Sequence, residues 1–144
     1  MHNTPVTPGQ PPFEIVEHTA DWSIRVRGET LADLFTAAAQ GMAFLLAGDL
    51  SAVPQTHTKQ IAIDGYGAVD LLVAWLSELA YFAERDGNVF ATIVNLTVTP
   101  ERVEATVCGG PPAELLKHIK AVTYHMLSIT ETKDGLEATI VFDV

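Results

Sequence analysis

The residues best suited to chemistry are carboxylates at the two ends of the sequence. Asp143 precedes Val144, whose own carboxylate adds a second anion one residue away. Leu136, Ala138, Ile140, Phe142 and Val144 alternate with Glu137, Thr139, Val141 and Asp143, so the period of a half-buried strand runs to the last residue. An end of the chain held in a sheet does not fray, and both carboxylates would be fixed in place. Anions that close repel each other unless a cation lies between them. Hard divalent ions such as Ca²⁺ or Mg²⁺ take oxygen ligands of this kind, and carboxylates from separate strands can converge at one end of a sheet. A third partner is available in His18-Thr19-Ala20-Asp21. Plainer roles suit the same residues: Asp21 as a turn residue at a strand entry, and Asp143 as a solvated residue on a polar face. From the residues alone both alternatives stay open.

The elements that must position these groups can be read from pattern. Met1 to Pro12 holds four prolines and almost no apolar bulk, and reads as a flexible tail ahead of a domain spanning 13–144. Phe13 to His18 reads as a strand. In the next strand Trp22, Ile24 and Val26 alternate with Asp21, Ser23, Arg25 and Arg27. Thr30 is the N-cap of a helix carrying Leu31, Leu34, Phe35, Ala38, Met42 and Leu45 at helical spacing, with Gly48 as its stop. A short strand over 57–64 leads to a second helix from Val69 to Arg85, whose broad stripe of Leu72, Trp75, Leu79 and Phe82 predicts deep burial. Residues 93–99 and 102–108 read as a hairpin. Gly109-Gly110-Pro111-Pro112 reads as a break, residues 113–116 as one helical turn, and 118–130 with 136–144 as a closing hairpin. Two amphipathic helices and about seven strands imply an α+β domain of two layers, the helices on one face of a mostly antiparallel sheet. Trp22 and Trp75 are expected as core anchors, and Tyr124 as packing.

Composition narrows the function classes. With 48% hydrophobic and 18% charged residues, the 144-residue chain is a globular domain with one core. Eight basic against eighteen acidic residues give a net charge of −10, which argues against stable binding to a phosphate backbone and suits a basic protein surface or a cation. One cysteine, Cys108, permits neither an internal disulfide nor a cysteine-based zinc site. No signal peptide or membrane span is evident, so a cytoplasmic location is expected. No G-x-x-x-x-G-K-[ST] pattern offers a phosphate cradle.

Several segments together resemble the archease family. They are Glu17-His18-Thr19-Ala20-Asp21; Gly28-Glu29-Thr30-Leu31 running into a helix with Gly41-Met42; Asp70-Leu71-Leu72-Val73 through Glu78-Leu79; Lys120-Ala121-Val122-Thr123-Tyr124-His125; and Phe142-Asp143-Val144. The resemblance covers residues 13–144. It implies two strand-helix-strand-strand modules, one inserted in the other. It also implies a non-enzymatic activator, with no catalytic residues of its own, for the GTP-dependent RNA ligase that joins 2′,3′-cyclic-phosphate or 3′-phosphate ends to 5′-hydroxyl ends in tRNA splicing and RNA repair. The activator promotes guanylylation of the ligase histidine and multiple turnover. Carried over by position, a metal site falls on Asp21, Asp143 and the Val144 carboxylate, with Ca²⁺ the first expectation and Mg²⁺ or Mn²⁺ the alternatives. Lys120, His18 and His125 become candidates for contact with the partner or a nucleotide; an ordinary exposed lysine and locally hydrogen-bonded histidines are the competing roles. Two other function classes remain: a metal-dependent hydrolase of a phosphorylated small molecule, with His18 or His125 as base, and a scaffold with a structural metal.

Overall fold

The computed structural model describes residues 12–17 and 21–144, so His18 and all but Pro12 of the expected tail over 1–12 lie outside the described residues. Strands β1 (Phe13–Glu17) and β2 (Asp21–Gly28) lead into helix α1 (Leu31–Ala47). Thr30 caps α1, its hydroxyl accepting from the Asp33 N–H at 3.1 Å, and Gly48 ends the helix at φ 77°. After one turn of 3-10 helix come β3 (His57–Asp64), α2 (Ala68–Asp86), β4 (Val89–Thr99) and β5 (Arg102–Gly110). The chain closes with β6 (Ala121–Thr123), β7 (Ile129–Thr132) and β8 (Gly135–Asp143).

The expected α+β class is present: among the described residues there are two helices and eight antiparallel strands. The strands divide between two sheets. One runs β1-β2-β8-β6, with β7 also paired to β8, and the other runs β3-β5-β4. Chain order makes the nesting plain, because β3-α2-β4-β5 is a complete module inserted between α1 and β6. Both helices pack on strands of both sheets, α1 on β1, β2, β8 and β4, and α2 on β6, β3, β4 and β5. One continuous core results. Trp75 is fully buried, and its indole N–H donates to the Phe35 carbonyl at 3.0 Å, joining the helices. Trp22 is half-buried against the same core.

Three local expectations change. Gly109 and Gly110 complete β5, because β4 comes so close that a Cβ on Gly109 would collide with the Val89 carbonyl oxygen. Residues 113–116 form no helical turn. That stretch instead docks on α1, where the Leu116 N–H donates to the Leu46 carbonyl at 2.7 Å and satisfies one of the helix's terminal acceptors. The strand expected over 118–130 is split by a turn in which the Leu127 N–H reaches the Tyr124 carbonyl at 3.0 Å and Met126 adopts φ 51°.

Gly109→Ala is expected to lower stability by about 2 kcal/mol or more through backbone overpacking, since the collision is with main chain that no rotamer change relieves. Urea denaturation with an unchanged m-value would show it, and an unchanged midpoint would refute the close approach.

Candidate functional site

The β2–β8 ladder places Asp21 directly opposite Asp143. Direct cross-strand partners project to the same face with Cβ atoms about 4.5–5.5 Å apart, so the two carboxylates share one patch at the end of the sheet. On the far side of Asp143, β6 contributes Ala121, whose small side chain leaves the row Asp21–Asp143–Ala121 open. Asp143 is exposed and Asp21 half-buried. The Lys120 N–H donates to the Asp143 carbonyl at 2.7 Å, which pins the backbone at that point. Val144 follows, half-buried against the core.

Like charges directly opposite each other are unfavourable, on the order of 1 kcal/mol in water at such spacing. Among the described residues, no basic side chain lies within 4.0 Å of either aspartate. Arg25 shares their face, but it sits four residues along β2, about 13 Å away. It is engaged by Glu14 at 3.3 Å and Glu137 at 3.7 Å. Lys117 is held at the other side of β2, its ammonium 3.8 Å from the centre of the Trp22 ring. The pair therefore has the chemistry of a hard-cation site. No group of three or more His, Cys, Asp or Glu side chains converges among the described residues, so further ligands would be oxygens of other kinds, such as a terminal carboxylate, backbone carbonyls or water.

The remaining candidates are spread out. Lys120 is exposed and lines a groove with Ser77, Tyr81 and Glu84 of α2. His125 is exposed in the turn after β6, its N–H donating to the Thr123 hydroxyl at 3.3 Å, and it is not brought to the aspartates. Tyr124 proves to be exposed and polar in role rather than packed. Its hydroxyl donates to Asp70 Oδ1 at 2.8 Å, while Asp70 Oδ2 accepts from the Tyr66 N–H at 3.2 Å. This latch ties the end of β6 to the start of α2. Both residues lie in recognisable segments, yet nothing local signals a bond across 54 positions. The Lys117–Trp22 stack escapes sequence reading for the same reason.

The Tyr124 hydroxyl, then the Tyr66 N–H, holds the Asp70 carboxyl below its ordinary 3.8, and the Asp70 carboxylate holds the Tyr124 hydroxyl above its ordinary 10.0.

Comparison with known proteins bears on the sequence and the fold. Residues 13–144 match the archease protein family. A protein archease of Methanosarcina barkeri is 33% identical over 140 residues, covering 92% of this chain and 95% of its own. One from Methanopyrus kandleri is 36% identical over 132 residues, covering 86% and 92%. The solution structure of protein 1598 of Methanobacterium thermoautotrophicum superposes with a TM-score of 0.75 at 25% identity, covering 93% of this chain and 99% of that one. A Thermotoga maritima crystal structure, described as an archease and possible chaperone, has a TM-score of 0.65 at 20% identity, covering 90% and 94%.

Two outcomes are expected. Added Ca²⁺ should raise the melting temperature of the wild-type chain, and Asp21→Asn or Asp143→Asn should each abolish most of that rise; a rise that persists in both variants would place the ion elsewhere. For the latch, the lowered Asp70 value means its contribution is present above 3.8 and is lost as pH falls through the folded-state value. The raised Tyr124 value means its contribution is present below 10.0 and is lost as pH rises through the folded-state value. Tyr124→Phe should therefore melt below wild type at neutral pH and converge with it at both extremes, whereas a constant offset would deny the latch.

Proposed function

Since the chain belongs to the archease family, we propose that it is a non-enzymatic activator of a GTP-dependent RNA ligase, acting through a metal-binding acidic edge. The partner is the ligase that joins 3′-phosphate or 2′,3′-cyclic-phosphate ends to 5′-hydroxyl ends. The observation that carries this reading is the register pairing of Asp21 with Asp143 at an open sheet end, without a basic partner among the described residues. Asp21, Asp143 and the Val144 carboxylate would hold a divalent ion, Ca²⁺ first and Mg²⁺ or Mn²⁺ as alternatives. Bound there, the ion supplies positive charge for phosphate or carboxylate oxygens. The chain's own part is to hold two carboxylates rigidly at the end of a sheet, which a net charge of −10 would steer toward a positive RNA- and GTP-binding cleft. Lys120, beside Asp143 through its backbone, is placed to contact a phosphate or an acidic group of the partner.

The hydrolase reading needs a pocket that contains both the metal and the substrate. The groove beside Lys120 includes neither aspartate, and Asp143 is exposed, which favours presentation to another protein. Among the described residues His125 joins no metal-holding group with the pair, and His18, the other base of that reading, lies outside them. A purely structural metal remains distinguishable by experiment.

Multiple-turnover ligation with the cognate ligase, with and without this chain, is the test. The wild type should stimulate turnover at substoichiometric amounts. Asp21→Ala, Asp143→Ala and deletion of Val144 should each lower stimulation about tenfold or more while the chain stays folded, and Lys120→Ala less so. Absence of stimulation at any ratio removes the proposal, and a destabilised Asp143→Ala that still stimulates would leave the metal a structural role only.

A further inference from the structure

Three consecutive residues of the connection between β5 and β6 each fasten to a different element. The Leu116 N–H donates to the Leu46 carbonyl of α1 at 2.7 Å. The Lys117 ammonium lies 3.8 Å from the centre of the Trp22 ring on β2. His118 Nδ1 meets Glu84 Oε2 on α2 at 3.1 Å. Ile119 is then buried in the core, and the Lys120 N–H reaches the Asp143 carbonyl at 2.7 Å. So short a run of chain, tied to α1, β2, α2 and β8, has little freedom left.

The run meets the acidic edge once beside each aspartate. Asp21 is the first residue of β2, and the β1 pairing stops at Glu17 opposite Trp22. Among the described residues, β8 is therefore the one strand paired with Asp21. The next ring along, Trp22, is the one that Lys117 covers. Successive strand residues project to opposite faces, so Lys117 does not touch Asp21. It fixes Trp22 on the helix side of the sheet, and with it the backbone from which Asp21 projects on the other. Asp143 is the last residue of β8, and there the Lys120 N–H and Ala121 supply the neighbouring backbone. Both aspartates thus sit at strand ends, where repulsion between them acts to splay the pair. Among the described residues Lys117 has no carboxylate within 4.0 Å, so its anchoring partner is the ring.

We infer that residues 116–120 are the positioning element of the acidic edge, with Lys117 a positioning residue that acts on Asp21 through Trp22; the inference rests on the metal-binding part of the reading above. Lys117 steadies the β2 end of the pair as the Lys120 N–H steadies the β8 end. Together they set the gap that one cation has to bridge. Oxygen ligands lie about 2.3–2.6 Å from Ca²⁺, so a carboxylate displaced by an ångström is lost as a ligand. The run joins the inserted module to the outer one, and the gap therefore answers to the packing of both.

The test is calorimetric titration of Ca²⁺ into the full chain, well below the melting temperature of every variant; Mg²⁺ or Mn²⁺ replaces Ca²⁺ if that ion does not bind. Lys117→Met keeps an unbranched side chain over Trp22 and removes the charge, whereas Lys117→Arg keeps a cation that stacks on aromatic rings. Lys117→Met should raise the Kd about tenfold, a loss typical of residues that orient a ligand without touching the metal. Lys117→Arg should stay within about threefold of wild type. A merely structural lysine would lower the melting temperature of the ion-free chain and leave the Kd alone. An unchanged Kd in Lys117→Met overturns this inference and leaves the activator reading standing. Equal losses in Lys117→Met and Lys117→Arg overturn it likewise, because they deny the cation–ring contact its role. Should Lys117→Met not fold, Glu84→Ala releases His118 from an exposed helix position; it should raise the Kd about threefold, and no change there overturns the inference. Failure of wild type to bind any of the three ions overturns both this inference and the metal-binding reading.

Discussion

The ladder between β2 and β8, eight residue pairs from Gly28 opposite Leu136 to Asp21 opposite Asp143, governs the rest of the molecule. It joins strands from opposite ends of the sequence, and its register is set from the buried side. Ile24, Ile140 and Phe142 are fully buried there, each contributing roughly 1.5–3 kcal/mol on leaving water. Repulsion between two carboxylates near the surface is on the order of 1 kcal/mol. The apolar face therefore wins, and the aspartates are forced together whether or not a cation is present. A slip of one residue would turn Leu136, Ala138, Ile140 and Phe142 outward, so the carboxylate pairing is as firmly specified as the core.

The inserted module serves this arrangement from the other side. Its helix α2 is anchored by Trp75 on α1 and by a broad buried stripe, which makes it a rigid rail. The segment around β6 is laid along that rail by Glu84 and Asp70, and β6 in turn closes the sheet beside Asp143. Rigidity at an exposed carboxylate edge is costly in conformational entropy unless neighbouring elements already supply it, and here they do. The outer module brings the acids together, and the inserted one braces the strand that flanks them.

Much of this was readable residue by residue. The Thr30 cap, the Gly48 stop, the bounds of β3 and the alternation in β8 are local signals, and each describes its element closely. Misreadings arose where a distant partner overrode local preference. Gly109 and Gly110 suggest a break by type, yet they stay in β5 because they let β4 approach. Residues 113–116 have a helix-like start after Pro112, yet they extend because the end of α1 offers an unpaired carbonyl. Tyr124 looks like packing material, and its hydroxyl is instead claimed by a carboxylate 54 positions earlier.

The period of the last strand, the acidic balance and the residue types at Asp21 and Asp143 are written in the sequence, because they depend on neighbours in the chain or on no neighbour at all. Family membership is legible there too, carried by short segments in fixed order. Which aspartate stands opposite which, the capture of Lys117 by Trp22, and the groove left beside β6 belong to the tertiary structure. Each of these is a meeting of segments separated by tens of residues, settled by how two modules share one core, and no local pattern encodes such a distance.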